Sequence, residues 1–327
     1  MNAVQITVIA AASIIAVIFI ILSVLANKLL DATFVPSSSG WKKMKFTEEE
    51  SRKTASKEKL EKMDKMEAEK KSADHWLGNT PHEDLQVTSF DGLKLHGFLL
   101  KNEGSHKYAL IIHGYRGRLR ETSVYGRVYH QNGWNVVLPE NRASGMSGGK
   151  FLTMGALEKK DVVKWIEKIL EIDKDASIIL HGESMGAATV MMTLGENLPQ
   201  NVKAAVEDCG YTSVWNMLRH VFKDLMKKSP FPMLNLTNFY SKIRFGFSFK
   251  KASAIKAVSK AKVPLLIFHG GSDDLIPNTM AREIYVATAS KKDWFIIPGA
   301  GHCMSVILEP DVYWSKVWEF LSTKGNL

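Results

Sequence analysis

From Leu85 onward, the chain alternates short apolar runs with amphipathic stretches. Apolar and polar residues alternate over Leu85–Phe90 and again over Leu93–Leu100, with Asp91-Gly92 between them. A period of two predicts strands with one buried face, and Asp-Gly between two such runs predicts a tight hairpin turn. We therefore expect an antiparallel hairpin at the start of a sheet.

Three later apolar runs end in the same His-Gly pair: Leu110–Gly114, Ile179–Gly182 and Leu266–Gly270. Continuous apolar runs of this length are typical of strands buried on both faces of a parallel sheet. Further strands are predicted at 135–138, 204–206 and 294–297, with helical periodicity between them that is clearest over 157–170. The alternation predicts an α/β fold with a mostly parallel central sheet flanked by helices.

The N-terminal segment Val4–Ala26 carries no charged residue. At 23 residues it is long enough to cross the hydrocarbon core as a helix, so we predict a transmembrane anchor over 4–26. A cleaved secretory signal is the main alternative. The absence of Lys or Arg before the run and of a small-x-small site after it argue against that alternative. A buried core helix would need a polar face, which this segment lacks.

Basic residues follow the anchor, whereas only the α-amine precedes it. They are Lys28, Lys42, Lys43 and Lys45. An excess of Lys and Arg marks the cytoplasmic side of a membrane span. We therefore predict a single-pass protein whose main domain lies in the cytoplasm, with an extracellular domain as the alternative.

Residues 27–84 are predicted to be a charged juxtamembrane spacer. The run from Thr47 to Ser72 is dense in Glu and Lys and begins with Glu48, Glu49 and Glu50. Such a composition favours a solvated helix. Leu60, Met63 and Met66 supply too few seam residues for a coiled coil. The remaining residues, 85–327, are predicted to form the main domain.

The length of 327 residues and a hydrophobic content of 45 % allow one large core with appendages. The two cysteines, Cys209 and Cys303, lie far apart in sequence and predict no disulfide framework. Neither has the spacing of a metal ligand, and the ten histidines show no H-x-x-x-H pair. The sequence therefore requires no metal.

The candidate chemistry begins at Ser184, the centre of Gly182-Glu183-Ser184-Met185-Gly186. This G-x-S-x-G pattern directly follows an apolar run that predicts a buried strand. A serine in such a place is typical of a nucleophile elbow, a sharp strand-to-helix turn in which flanking glycines avoid collisions. Ser184 is therefore the candidate nucleophile.

A serine nucleophile needs a base, and the base needs a carboxylate that fixes its tautomer. His302 lies in a glycine-rich loop after the last predicted strand and is the candidate base. The other histidines considered, His113, His181 and His269, end strands and fit structural or site-wall roles. For the acid, Asp273 is favoured by its spacing to Ile276-Pro277. The adjacent Asp274 and the strand-terminal Asp208 are the alternatives.

From about Leu85 to the C-terminus, the chain resembles α/β-hydrolase-fold serine hydrolases. It is most similar in pattern to bacterial membrane-anchored, esterase-like members with a short lid. The resemblance rests on His113-Gly114-Tyr115, on the segment 142–148, on the elbow and on the loops of Asp273 and His302. Many members carry Asp-x-Arg-Gly-His-Gly where this chain has Glu140–Gly145, a segment that shapes the wall of the site and is not part of the triad.

The elbow and the resemblance together supply an oxyanion hole made of two backbone N–H groups. One belongs to Met185, the residue after the nucleophile. The resemblance assigns the other to Tyr115, in the loop after the third strand.

The segment 214–251 has no place in the predicted sheet and is predicted to be a small helical lid. From Val214 to Lys262, eleven basic residues face one acid, Asp224, in a chain whose net charge is +9. Such an excess would attract an anionic substrate or anionic lipid head groups. A merely solubilising surface is the simpler explanation. Because no recognised module accompanies the charge, we expect no nucleic acid partner.

These features predict a membrane-anchored serine hydrolase that cleaves small-molecule carboxylic esters through an acyl-enzyme, without a cofactor. A peptidase or amidase with the same Ser-His-Asp triad is the first alternative, because the motif does not reveal the leaving group. A non-catalytic membrane scaffold is the second, and three intact triad residues argue against it.

Overall fold

The computed structural model describes residues 2–43, 52 and 55–327. Its strands are β1 (Glu83–Thr88), β2 (Lys94–Leu100), β3 (Lys107–Ile112), β4 (Asn135–Pro139), β5 (Ser177–Glu183), β6 (Val202–Asp208), β7 (Leu265–Gly270) and β8 (Lys292–Ile297). The helices before β5 are α1 (Ala3–Phe34), α2 (Ser39–Lys43), α3 (Lys57–Asn79), α4 (Ser123–Gln131) and α5 (Glu158–Ile172). Those after it are α6 (Met185–Thr193), α7 (Val214–His220), α8 (Met233–Phe245), α9 (Ala254–Val258), α10 (Thr279–Ala287), α11 (Ser305–Leu308) and α12 (Pro310–Thr323). A 3₁₀ turn precedes α4 at Leu119–Thr122, and a π-helical turn follows α7 at Val221–Leu225.

The eight strands form one sheet in the order β1-β2-β4-β3-β5-β6-β7-β8. β1 pairs with β2, and β2 with β4, in antiparallel fashion, and every other pair is parallel. Gly92 has a φ of 85° in the turn between β1 and β2, a conformation that glycine adopts without strain. The predicted α/β-hydrolase fold, with its antiparallel entry and mostly parallel sheet, is confirmed.

Successive residues of a central strand enter two separate cores, because side chains alternate across a sheet. On β3, Leu110 and Ile112 belong to one core and Ala109 and Ile111 to the other. The first core contains buried residues of α5, α6 and α10, and the second contains those of α3, α4 and α12. The structure is therefore a three-layer sandwich in which both faces of the sheet are covered.

Helix α1 is long and apolar enough to cross a membrane. Its residues up to position 21 are exposed, but the helix continues past the predicted end of the anchor at Ala26. Ala26, Leu30 and Phe34 recur every four residues and are fully buried. The last two turns of the apolar helix are thus part of the folded domain.

The segment 214–251 lies outside the sheet and packs on the C-terminal part of α1. Arg244 at the end of α8 donates to the carboxylate of Asp31 at 2.6 Å and to the side-chain oxygen of Asn27 at 3.1 Å. The ring of Phe34 lies among three rings of the segment, those of Phe245, Phe247 and Phe249. We call residues 214–251 the cap.

The charged region before the sheet differs from the solvated spacer that the sequence predicts. Helix α3 packs on the domain through Ala73 and Leu77, both fully buried. Its charged side chains reach the domain as well: Arg127 pairs with Glu69, and Arg120 pairs with Asp74 at 2.9 Å. The first part of the charged run, including Glu48 to Glu50, lies outside the described residues.

Candidate active site

Ser184 lies in the turn between β5 and α6, with φ 55° and ψ −114°. Two glycines make this turn possible. A Cβ on Gly182 would lie 2.4 Å from the carbonyl carbon of Gly186, and one on Gly186 would lie 1.9 Å from the carbonyl oxygen of Ile112. The strained turn places the serine at the carboxyl end of the sheet, between its two halves.

The structure brings Ser184, His302 and Asp273 together, although 118 positions separate the first two. The Oγ of Ser184 lies 2.8 Å from Nε2 of His302. On the other side of the ring, Nδ1 lies 2.7 Å from Oδ2 of Asp273. Both distances are those of direct hydrogen bonds. The three groups form the continuous chain that lets an imidazole take a proton from a hydroxyl.

Asp273 is held from both sides. Its side chain is completely buried, and Oδ1 accepts hydrogen bonds from the N–H groups of Leu275 at 3.0 Å and Ile276 at 2.8 Å. The neighbouring Asp274 points outward and pairs with Lys59 of α3 at 2.9 Å. The acid chosen by spacing is therefore the one that meets the imidazole, and its neighbour lies on the surface.

Asp208, the third candidate acid, has different partners. Its carboxylate accepts hydrogen bonds from Ser305 at 3.0 Å and from the hydroxyl of Tyr125 at 3.4 Å. Burial, reinforced by Glu183, raises the pKa of Asp208 to about 6. Its backbone carbonyl accepts from the N–H of Ser184 at 2.8 Å. Asp208 thus supports the elbow from the next strand.

The electrostatics suit a base and its orienting acid. Burial raises the pKa of Asp273, but hydrogen bonds from His269 and His302 outweigh it and hold that pKa well below its usual value. Burial lowers the pKa of His302, while the neighbouring Cys303 and Asp273 raise it by more, to well above 6.5. Asp273 is consequently ionised at neutral pH and stabilises a proton on the imidazole.

Of the three strand-terminal histidines, His269 lies 3.3 Å from the Asp273 carboxylate, whereas His113 and His181 are buried with partners outside the triad. His113 hydrogen bonds to the carbonyl of Gly114 at 2.8 Å, and burial lowers its pKa to about 4. His181 lies between the hydroxyls of Tyr129 and Tyr313, and burial lowers its pKa to about 3. Both rings are neutral structural groups at physiological pH.

The two expected oxyanion donors lie beside the elbow. Met185 is the first residue of α6, where a backbone N–H has no partner within its own helix. Gly114, next to Tyr115, approaches the serine closely: a Cβ on it would lie 3.4 Å from the Cβ of Ser184. Neither Met185 nor Tyr115 donates its N–H in the inter-element backbone hydrogen bonds of the described residues. Their assignment as donors stays a prediction.

The N-terminal helices cover the loop that carries Tyr115. The tyrosine hydroxyl donates to the carbonyl of Thr33 in α1 at 2.7 Å, and its ring packs edge-on against Trp41 of α2. The guanidinium of Arg116 lies 4.1 Å from the centre of the Trp41 ring and donates to the Trp41 carbonyl at 2.7 Å. The apolar helix therefore ends against the wall of the candidate site, a contact that no sequence motif indicates.

Residues 140–145, which differ from the pattern of many α/β-hydrolases, are fixed by ion pairs and close packing. The guanidinium of Arg142 is buried and bonds to Asp161 at 2.7 Å and Asp91 at 3.0 Å. Gly145 has a φ of 53°, and a Cβ there would overlap the carboxylate of Glu140 at 1.7 Å. Ser144 donates to the carbonyl of Gly117 at 3.3 Å, so the segment also contacts the loop after β3.

The contact between the two cysteines was not predicted from the sequence. The Sγ atoms of Cys209 and Cys303 lie 3.4 Å apart, and with a ring nitrogen of His302 they form a group whose ligand atoms are all within 4.8 Å of one another. Cys209 directly follows β6, and Cys303 directly follows His302. Their common position at the carboxyl edge of the sheet was the available signal, whereas their separation in sequence was misleading.

Residues 122–324 match the model of the prolyl oligopeptidase family. The chain is 26 % identical to the protein YqkD of Bacillus subtilis over 241 residues, which are 73 % of this chain and 79 % of YqkD.

Among solved structures, the esterase Pf2001 of Pyrococcus furiosus superposes with a TM-score of 0.61 at 23 % identity, covering 75 % of this chain and 93 % of the esterase. The acylaminoacyl peptidase of Pyrococcus horikoshii superposes with a TM-score of 0.57 at 18 % identity, covering 75 % of this chain and 42 % of the peptidase. At these identities the two structures establish the fold.

Proposed function

Because the chain belongs to the prolyl oligopeptidase family of the α/β-hydrolase fold, we propose that it is a serine hydrolase that cleaves carboxylic esters. The observation that carries this proposal is the hydrogen-bonded chain from Ser184 through His302 to Asp273, with distances of 2.8 and 2.7 Å. A scaffold that had lost catalysis would have no need to keep all three groups within hydrogen-bonding distance of one another.

In the proposed mechanism, Ser184 attacks the ester carbonyl while Nε2 of His302 takes the hydroxyl proton. The negative charge that develops on the carbonyl oxygen is stabilised by the N–H groups of Met185 and Tyr115. Asp273 holds the imidazole in the reactive tautomer and stabilises its protonated form. The protonated His302 then donates to the departing alkoxide, leaving an acyl group on the serine. Water, activated by the same imidazole, hydrolyses the acyl-enzyme.

An amide or peptide substrate is the second candidate, and the family match supports it. The same triad can cleave both bonds, because the serine attacks a carbonyl in either case and the same imidazole protonates the leaving alkoxide or amine. We favour the ester because the chain covers nearly all of the superposed esterase but less than half of the superposed peptidase. More than half of the peptidase has no counterpart in this superposition.

The proposal is tested by a fluorophosphonate probe and a matched substrate series. We expect the probe to label the purified protein and heat denaturation to abolish labelling. Acyl p-nitrophenyl esters should be cleaved with a higher kcat/KM than p-nitroanilides carrying the same acyl group. No labelling would favour the scaffold. A kcat/KM for the anilides that equals or exceeds that for the esters would favour the amidase.

We further propose that α1 anchors the protein in the membrane, with the hydrolase domain in the cytoplasm and the cap at the lipid surface. Helix α8 packs beside the point where α1 enters the domain, and two of its apolar side chains, Phe239 and Ile243, are exposed. All eleven basic side chains between Val214 and Lys262 are exposed as well. Exposed apolar residues surrounded by cations are typical of a surface that binds anionic lipid.

Vesicle binding tests the role of the cap. A protein that begins at Leu22 loses only exposed residues of α1 and keeps those that pack on the domain. We expect it to bind vesicles containing phosphatidylglycerol at low salt and to dissociate at high salt, because each basic residue near such a surface contributes about 1 kcal/mol that salt screens. Replacing five cap-region lysines with Gln should abolish binding; they are Lys223, Lys227, Lys228, Lys250 and Lys251.

A matched variant controls for the change in net charge. It replaces five exposed lysines outside the cap: Lys94, Lys101, Lys150, Lys174 and Lys291. This variant should bind the vesicles nearly as well as the truncated parent. Equal loss of binding in the two variants, or no binding by the parent at low salt, would contradict a specific membrane role for the cap.

A further inference from the structure

Cys209 and Cys303 form a pair of thiols beside the proposed catalytic base, with all three ligand atoms within 4.8 Å of one another. Their Sγ atoms lie 3.4 Å apart. Cys209 is fully buried, whereas Cys303 is partly exposed. Both residues have a left-handed backbone, with φ of 54° and 58°, which is uncommon for residues other than glycine. Both cysteines thus have a constrained backbone, and their sulfur atoms meet beside His302.

The pair has the chemistry and the spacing of a zinc-binding site. Thiolates and imidazole are preferred ligands of Zn²⁺. Two sulfur atoms that bind one tetrahedral zinc at about 2.3 Å are about 3.8 Å apart, within about 0.4 Å of the separation seen here. A disulfide would instead require the sulfur atoms to approach to about 2.05 Å. The ligand atoms of Cys209, Cys303 and His302 are already within 4.8 Å of one another.

The surroundings of His302 also suit a metal ligand. Its Nδ1 is hydrogen bonded to the carboxylate of Asp273 at 2.7 Å. Imidazoles that bind zinc usually donate their other N–H to a carboxylate, which orients the ring and increases its basicity. The arrangement that prepares His302 to accept a proton therefore equally prepares it to accept a metal ion.

We propose that Cys209, Cys303 and His302 form an inhibitory zinc site within the active site, an inference that rests on the proposed hydrolase function. Binding converts Zn²⁺, two thiols and a neutral imidazole into a dithiolate–imidazole complex and releases two protons. The fourth coordination position remains for solvent.

Zinc and catalysis exclude each other because the triad uses both nitrogens of His302. Nε2 bonds to Ser184 and Nδ1 bonds to Asp273. A metal on either nitrogen removes one of these two links, so the bound enzyme cannot transfer the serine proton. The site would thus make hydrolysis responsive to free zinc.

Cobalt binding tests the site without reference to catalysis. Full-length protein in detergent, kept reduced with a phosphine, is titrated with Co²⁺. We expect one equivalent to produce a thiolate-to-cobalt charge-transfer band and the visible absorption of tetrahedral Co²⁺, both abolished by one equivalent of Zn²⁺. Cys209→Ser and Cys303→Ser should each lower the affinity at least about 100-fold, since even loss of an outer partner costs 10–100-fold.

His106→Ala is the matched control. This exposed imidazole lies 2.8 Å from the Asp173 carboxylate and so offers an adventitious surface site. The variant should bind Co²⁺ as the wild type does. Equal affinities in the wild type and both cysteine variants, or the absence of the charge-transfer band in the wild type, would overturn the proposal. A Cys209–Cys303 disulfide whose reduction restores two thiols but no cobalt band would do the same.

Ester hydrolysis supplies the second readout, with each variant compared with its own metal-free rate. Zinc should inhibit the wild type and the His106→Ala variant, and both cysteine variants should resist it at least about 100-fold. The two proposals fail separately. A protein that gives the cobalt band but hydrolyses no ester refutes the proposed function, whereas an active enzyme without the band refutes the metal site.

Discussion

Replacing Ser184 with alanine should reduce kcat for a short p-nitrophenyl ester by a factor of about 10⁴ to 10⁶. The hydroxyl is the only group placed 2.8 Å from Nε2 of His302 in the described residues. Without it no acyl-enzyme forms, and what remains is the contribution of the oxyanion hole to direct attack by water. The same change should abolish fluorophosphonate labelling.

Two measurements distinguish a loss of catalysis from a loss of folding. Alanine keeps the backbone of the elbow, so thermal unfolding of the variant should follow that of the wild type. Ser144→Ala removes a hydroxyl from the adjacent wall, where it donates to the carbonyl of Gly117, and should keep most of the activity. A Ser184→Ala enzyme with more than about a tenth of wild-type turnover would contradict the nucleophile assignment, because losses in triads are far larger.

The sheet was predictable because its strands carry their signals locally. The runs that end in His-Gly became β3, β5 and β7, and the Asp91-Gly92 turn joins β1 to β2. The elbow was predictable for a similar reason, because Gly182 and Gly186 leave no room for a Cβ. Spacing along one loop was also enough to identify Asp273 rather than Asp274 as the acid. The N–H groups of Leu275 and Ile276 donate to the carboxylate of Asp273.

What the sequence did not predict depends on contacts between distant segments. Helix α3 was expected to be solvated because Glu and Lys dominate it, yet Ala73 and Leu77 are fully buried against the domain. Similarly, the apolar run ending at Ala26 gave no sign that the helix continues as far as Phe34 to reach the cap. Apolar periodicity indicates which face of a helix is buried, but a pair such as Ala73 and Leu77 is too short a pattern to indicate a buried face in a charged helix.

The cysteines illustrate the same limit in the candidate site. Cys209 and Cys303 are 94 positions apart, and nothing local relates them. Their contact follows from the strand order, since the loop after β8 returns across the carboxyl ends of β7 and β6. Once the sheet order is known, residues that directly follow its central strands are candidates for one site whatever their separation.

The second prediction with a large expected effect distinguishes two adjacent acids, the buried Asp273 and the exposed Asp274. Asp273→Asn keeps the shape of the side chain but replaces the oxygen-only carboxylate with an amide, which leaves His302 in the wrong tautomer. We expect kcat to fall about 10⁴-fold. The loss of the negative charge also lowers the pKa of His302, because Asp273 contributes to raising it. The acid limb of the remaining activity should therefore move to lower pH.

Asp274→Asn is the matched control for that change. The Asp274 carboxylate is 69 % exposed and pairs with Lys59 on the surface. Exposed ion pairs contribute about 0–1 kcal/mol to stability and nothing to the triad, so activity and its pH profile should stay within about twofold of the wild type. The comparison is decided by kcat measured across pH for both variants. If Asp274→Asn were the crippling change while Asp273→Asn remained active, the acid of the triad would have been assigned to the wrong residue, and the hydrogen bond at Nδ1 of His302 would have to be structural.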